Sequence, residues 1–272
     1  MHPKSEVSSH AFHRGRIGVR VLFDPIHSAS SRLIPIESPE RQLAPELFIP
    51  PFAERCQGSA ISAWDASYDH PFVAGLIDGS LSAERFRFYQ MQDARYLEKY
   101  ADVCSLLSTR FRNPIDKLWF IDGAKLALIV EQELHTSYGK ELGYSAEDIA
   151  ALALTPNNAA YQNHMWSCAF GGSLLEGLAA LAPCPWLYTD IGLRIQREMG
   201  DIPLDHPYRN WLMTYADPSF IAYTNQLLVL LQGQAELHGA LYHNAAIKAF
   251  ERSVQYEWMF WDQAWEMQTW SV

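Results

Sequence analysis

No stretch of this sequence strings together the roughly 20 apolar residues that a membrane-spanning helix needs, and no Cys-x-x-Cys pair occurs in it. Cys56, Cys104, Cys168 and Cys184 stand far apart, with no histidine cluster beside them. That spacing argues against a zinc site and against a disulfide framework, and it reads as reduced thiols in a cytoplasmic protein. Glycine-rich phosphate loops are absent, as is any nucleophile-elbow serine motif. Positive charge is scarce: 21 Lys and Arg face 31 Asp and Glu, a net charge of −10. A nucleic-acid binder needs the opposite balance to neutralise phosphates. Glu131, Glu133 and His135 do not form a Glu-x-x-His motif and no second candidate exists, which disfavours a di-iron carboxylate bundle. No metal and no cofactor is therefore expected.

What the chain does contain is apolar and aromatic. Hydrophobic residues make up 49% and charged residues 19%, a balance that supports a sizeable core in one large domain or two small ones. Aromatics reach 13%, with nine Trp, more than packing requires. An aromatic-lined pocket, a buried oligomer interface and a large core all remain open as reasons. Residues 1–46 differ from the rest, with four of the ten histidines, scattered Pro and no sustained period. They are expected to form a disordered or poorly ordered extension, with residues 47–272 as the folded unit.

From Pro51 onward the pattern is helical almost throughout. One helix is predicted over Phe52–Ala66. The next starts at Ser82 as N-cap and runs to Phe111, with Phe86, Tyr89, Asp93, Tyr96, Leu97 and Tyr100 on one face. Asn113-Pro114 opens a third, which Gly143 ends near Leu142. Ser145 begins a short one. Further helices are predicted over Asn157–Phe170, Leu174–Ala182, Pro185–Met199, His206–Ala216, Pro218–His238 and Asn244–Trp270. With no convincing strand pattern, the fold class is all-α, packed around one core.

A few groups could carry chemistry. Cys184, between Pro183 and Pro185, falls at or just before a helix N-terminus, where free N–H groups and the helix dipole are expected to lower a thiol pKa. Tyr188, four residues on, lies on the same face with its hydroxyl able to approach the sulfur. Asp93 sits between Tyr89 and Tyr96; either tyrosine hydroxyls or Arg95 satisfy it, or it binds a ligand. Glu257 lies in the apolar run Gln255–Trp261, where its pKa should rise into a range that suits acid–base exchange. Tyr161 and Tyr215 are aromatic residues within predicted helices, and core packing is the simplest reading of each alone.

In combination these residues resemble the TenA family, the thiaminase II or aminopyrimidine aminohydrolase group, from about Phe52 to Trp270. The motifs are His70-Pro71-Phe72 with Asp78-Gly79-Ser80-Leu81; Phe86-Arg87-Phe88-Tyr89 with Gln92-Asp93 and Tyr96-Leu97; Pro183-Cys184 with Trp186-Leu187-Tyr188; Trp211 with Thr214-Tyr215; and Tyr256-Glu257 with Phe260-Trp261. The resemblance implies a haem-oxygenase-like fold, a homotetramer and a hydrolase of thiamine salvage acting on a small aminopyrimidine or on thiamine. It implies Cys184 as nucleophile, Glu257 as acid/base, Asp93 as aminopyrimidine ligand, and Tyr96, Tyr161, Tyr188 and Tyr215 as pocket lining. The alternative is a non-enzymatic regulator or binding member of the same fold.

Overall fold

Caps and prolines set most of the helix starts. The computed structural model describes residues 46–271 and, within that span, every side chain except those of residues 130–138. The expected extension, residues 1–46, lies outside the described residues apart from Glu46. Twelve helices and no strand occur among the described residues, so the chain is all-α. In chain order they are α1 (Pro51–Ser59), α2 (Ile61–Tyr68), α3 (Pro71–Asp78), α4 (Ala83–Arg110), α5 (Pro114–Leu142) and α6 (Ala146–Ala151). There follow α7 (Pro156–Gly171), α8 (Leu174–Leu181), α9 (Pro183–Met199), α10 (Arg209–Thr214), α11 (Pro218–Glu236) and α12 (Ala240–Trp265). None of them is long and apolar enough to cross a membrane.

Ser82 accepts the Arg85 N–H and opens α4; Asn113 does the same for Ile115 at α5. Ser145 and Asp148 form a capping box that starts α6. Gly143 ends α5 at φ 71°, a left-handed conformation that a side chain disfavours. Other boundaries depart from the predicted ones. Phe52–Ala66 breaks at Ala60, giving α1 and α2. Helix α3 is additional: its eight residues give barely two turns of period, yet the His70 ring caps Phe72 and Gly79 stops it at φ 77°. The predicted His206–Ala216 helix shrinks to α10: the His206 ring accepts the Tyr208 N–H in a turn before the helix, and Tyr215 becomes the C-cap. The last helix is shifted towards the N-terminus, Ala240–Trp265 in place of Asn244–Trp270.

Helix α12 is the hub. It packs against α1, α2, α3, α4, α7, α8 and α9, while α4 and α5 pair along their lengths through a three-residue turn. Its buried stripe runs through Ala246, Phe250, Val254, Glu257, Phe260, Trp261 and Ala264, spaced three or four apart. One carboxyl therefore sits in the middle of an apolar seam. The surrounding core is largely aromatic: Trp64, Trp186, Trp261, Tyr89, Tyr161, Phe72, Phe86 and Phe250 are all fully buried.

Helix α9 is fixed from several sides. The Pro185 carbonyl accepts the Thr189 hydroxyl at 2.7 Å and the Thr224 hydroxyl at 3.3 Å. Asp190 accepts the Trp64 indole N–H at 2.8 Å, and Arg194 bridges Asp190 and Asp65 at 2.9 and 3.0 Å. At Gly192 the helix meets the turn after α10, where a Cβ would lie 2.8 Å from the Ala216 nitrogen and the Tyr215 carbonyl carbon. Backbone cannot yield as a side-chain end can. Gly192→Ala is therefore expected to lower the melting temperature by about 5 °C, an overpacking cost of about 2 kcal/mol. Gly58→Ala, on α1 with open space around it, should leave the melting temperature unchanged or raise it slightly. Thermal melts of the two variants beside the wild type check both.

Candidate active site

Five helices bring the seven candidate side chains to one place. Helix α4 contributes Asp93 and Tyr96, α7 Tyr161, α9 Cys184 and Tyr188, the end of α10 Tyr215, and α12 Glu257. The Tyr161 hydroxyl donates to Glu257 Oε1 at 2.6 Å. The Glu257 charge is felt by Cys184, Tyr96, Tyr161 and Tyr188, and the Asp93 charge by Cys184, Glu257, Tyr89 and Tyr188. Tyr188 and Tyr215 meet edge to face, 4.7 Å between centroids. Asp93 and Cys184 keep some accessible surface although protein surrounds them on every side. Both therefore border a chamber between the helices with room for water. Two open surface clefts, about 610 Å³ beside Ile202 and Met213 and about 480 Å³ beside His70 and Trp258, hold none of the seven.

Burial dominates the electrostatics. It pushes the Glu257 carboxyl up to about 8; the Tyr161 hydrogen bond opposes the rise and the Asp93 charge adds to it. Asp93 rises to about 7 by burial, and among the described residues it has no hydrogen-bond or ion-pair partner. Arg95 turns away to the Ile149 and Leu152 carbonyls and to Glu98, so it does not satisfy Asp93. A desolvated carboxyl without a protein partner is one that water or a ligand must complete.

Two expectations about Cys184 need correction. The thiol pKa is raised well above its usual value, first by burial and then by the Glu257 charge, with the nearby Tyr96 hydroxyl opposing the rise. Cys184 does occupy the second position of α9, but Ala182 is itself helical and joins α8 to α9. Two prolines without N–H groups flank the cysteine, and the Trp186 N–H is already bonded to the Ala182 carbonyl. Few free N–H groups remain to stabilise an anion there. Secondly, the Tyr188 hydroxyl bonds the Tyr89 hydroxyl, at 3.0 Å, while the Tyr96 hydroxyl, near the sulfur, donates to Met165 Sδ at 3.3 Å.

Three wall elements lie outside the site residues expected from the sequence. Tyr89 shares two hydroxyl protons with Tyr188 across one mutual bond, which leaves one O–H available to the chamber. Phe260 contacts Tyr96 and Tyr89 edge to face, at 5.7 and 6.0 Å. On the Cys184 flank, the Tyr100 and Tyr223 hydroxyls are 3.0 Å apart, near the Cys104 thiol. Tyr89 and Phe260 follow from the α4 and α12 periodicity; Tyr223, on α11, carries no local signal. No three His, Cys, Asp or Glu side chains among the described residues converge as metal ligands.

The raised Glu257 has a consequence for stability. Its folded pKa lies above its unfolded one, so between pH 4.5 and 8 the folded chain binds more protons than the unfolded chain, and stability falls as pH rises through that window. Glu257→Gln removes the liability while keeping an acceptor for Tyr161. Its melting temperature should gain on that of the wild type steadily from pH 4.5 to 8 and by no more above; a constant difference across that range would contradict the assignment.

Comparison with known proteins places this geometry among relatives. The TENA/THI-4/PQQC family model matches residues 59–267. An aminopyrimidine aminohydrolase of Halalkalibacterium halodurans is 33% identical over 221 residues, which cover 81% of this chain and 98% of that one. The thiamine biosynthesis multifunctional protein ThiED of Corynebacterium glutamicum is 33% identical over 74% of this chain and 26% of its own length. Among solved structures, a TenA homologue from P. horikoshii OT3 aligns at TM-score 0.73 and 27% identity, covering 80% of this chain and 99% of its own. A Shewanella denitrificans domain with a heme oxygenase-like fold aligns at TM-score 0.60 and 14% identity, over 79% and 92%, and so shares the fold.

Proposed function

The chain belongs to the TENA/THI-4/PQQC family, and on that premise we propose that it is an aminopyrimidine aminohydrolase of thiamine salvage. It converts 4-amino-5-aminomethyl-2-methylpyrimidine to the 5-hydroxymethyl compound and ammonia, or cleaves thiamine to hydroxymethylpyrimidine and thiazole. The observation that carries the reading is a thiol and two carboxyl groups sharing one aromatic chamber, with Asp93 unpartnered inside it.

An aminopyrimidine bearing a CH₂–X arm resists direct displacement at the arm. Asp93 binds the exocyclic amino group and a ring nitrogen, a donor–acceptor pair that a single carboxyl matches. Glu257 takes the Cys184 proton as the sulfur adds to a ring carbon, and the protonated Asp93 gives its proton to the ring nitrogen. The ring is then electron-rich enough to expel X, which leaves with the proton that Glu257 returns. Water adds at the exocyclic carbon and gives up a proton to Glu257. The S–C bond breaks as the ring recovers its aromaticity; the ring-nitrogen proton returns to Asp93, and Glu257 passes the proton taken from water to the thiolate, restoring the free thiol. Tyr96 stabilises the sulfur's negative charge by hydrogen bonding, Tyr161 holds Glu257, and Tyr188, Tyr215 and Phe260 flank the ring and exclude water.

A cationic arm suits this chamber. At neutral pH its thiol and Glu257 are held largely protonated by burial, so a cation entering it supplies the countercharge that lets them ionise. The working unit is residues 47–272, assembled as a homotetramer in the cytoplasm; the widely spaced free cysteines support that compartment.

Hydrolysis of both substrates, with ammonia and thiazole release followed separately, tests the reading. Cys184→Ser should cut turnover by roughly three orders of magnitude and Glu257→Gln by about 10²–10⁴. Near-normal hydrolysis by Cys184→Ser would end the covalent route.

A further inference from the structure

The chemistry above gives no task to the buried amides of α7. Asn157, Asn158 and Gln162 are 3%, 0% and 7% exposed and surround Tyr161 on its own helix. Each donates to a main-chain carbonyl, and each of those carbonyls belongs to the residue just before a chamber residue. Asn158 Nδ2 reaches the Gln92 carbonyl at 2.8 Å, next to Asp93. Gln162 Nε2 reaches the Arg95 carbonyl at 3.1 Å, next to Tyr96. Asn157 Nδ2 reaches the Tyr256 carbonyl at 3.4 Å, next to Glu257.

The donors are themselves cross-linked. Asn158 Nδ2 also donates to Gln92 Oε1 at 2.8 Å, and Gln162 Nε2 to Asn158 Oδ1 at 3.0 Å. Gln92 Nε2 donates to the Ala153 carbonyl at 2.9 Å and Gln92 Oε1 accepts the Thr155 N–H at 3.3 Å. Thr155, the N-cap of α7, donates its hydroxyl to Gln263 on α12. Apolar side chains would bury this space more cheaply, because an amide removed from water must find partners. What amides add is direction: a hydrogen bond weakens steeply once its geometry is lost, whereas apolar packing tolerates sliding.

We infer that Asn157, Asn158 and Gln162 are positioning residues, an amide brace through which α7 sets Asp93, Tyr96 and Glu257 in register with Tyr161. In catalysis the brace rests on the hydrolase reading. Its geometric action on Tyr96, whose hydroxyl donates to Met165 Sδ at 3.3 Å and lies near Cys184, does not need a substrate.

The test therefore begins with the thiol. Cys184 alkylation by iodoacetamide at pH 8 is followed by peptide mass spectrometry in wild type, Gln162→Met, Tyr96→Phe and the double variant, with melting temperatures alongside. If Gln162 acts through Tyr96, each single change slows labelling about threefold, and the double variant is no slower than Tyr96→Phe alone. Slowing that multiplies in the double variant, or unchanged labelling in Gln162→Met, overturns the inference. Asn157→Ala is the milder second variant, with one long bond removed. It should shift the pH profile of hydrolysis on the limb that Glu257 sets, and do nothing further in a Glu257→Gln background; an unshifted profile also counts against the brace. A wild-type protein that hydrolyses neither substrate removes the functional reading, while the labelling comparison still decides the brace.

Discussion

Exclusion of water from the space between α4, α7, α9 and α12 is the constraint on which the site depends. In water Glu257 and Asp93 would be ionised at neutral pH and Cys184 would be an ordinary thiol. Enclosed, the carboxyls rise to about 8 and about 7 and the thiol rises further. Burial alone would make these groups inert, because the charged form would become too costly to reach. The 2.6 Å bond from Tyr161 moderates the effect at Glu257, and Tyr96 does so at the sulfur. A functional acid needs both: enough desolvation to hold a proton near pH 7, and enough hydrogen bonding to let it go.

The fold enforces that enclosure through one helix. Because α12 runs through the middle of the bundle, its stripe can present Glu257 to the chamber while Phe260 and Trp261 pack against rings from α3, α4, α9 and α10. Trp261 contacts Phe72, Tyr89, Tyr188 and Trp211, so the chamber wall and the core share the same rings. The aromatic excess in the composition is therefore spent on both at once. Cys184 is held by different means, with prolines on either side and two threonine hydroxyls on the carbonyl of the residue that follows it.

Local signals proved legible, and long-range ones did not. Ser82, Asn113, Ser145 and Gly143 act within a few residues of themselves, and each does in the structure what its type suggests. Glu257 could be read because its whole neighbourhood in sequence is apolar, so burial followed whatever the fold. Cys184 misled on pKa, since a proline-flanked helix start looks like a site of free N–H groups until the preceding helix turns out to run straight into it. The hydroxyl nearest in sequence to the sulfur could not be placed from spacing: Tyr188 shares a helix with Cys184, but its hydroxyl pairs with Tyr89 on another helix. Asn157, Asn158 and Gln162 read as an ordinary polar stretch, because a carbonyl on α4 or α12 has no sequence signature as an acceptor. The gathering of Asp93, Tyr161 and Cys184 came from family resemblance, not from any periodicity.

The hydroxyl left over from the Tyr89–Tyr188 pair implies a polarity for the cavity. With Asp93 and Glu257 largely protonated at mildly acidic pH, each carboxyl adds an O–H donor beside its carbonyl acceptor, and a guest with an acceptor nitrogen next to an amino group matches that pair. A ring bearing basic nitrogens fits that description, and once protonated there it would trade neutral contacts for an ion pair with Asp93. Recognition then becomes an acid–base event whose heat depends on the buffer, as protons pass between the sealed interior and bulk solvent.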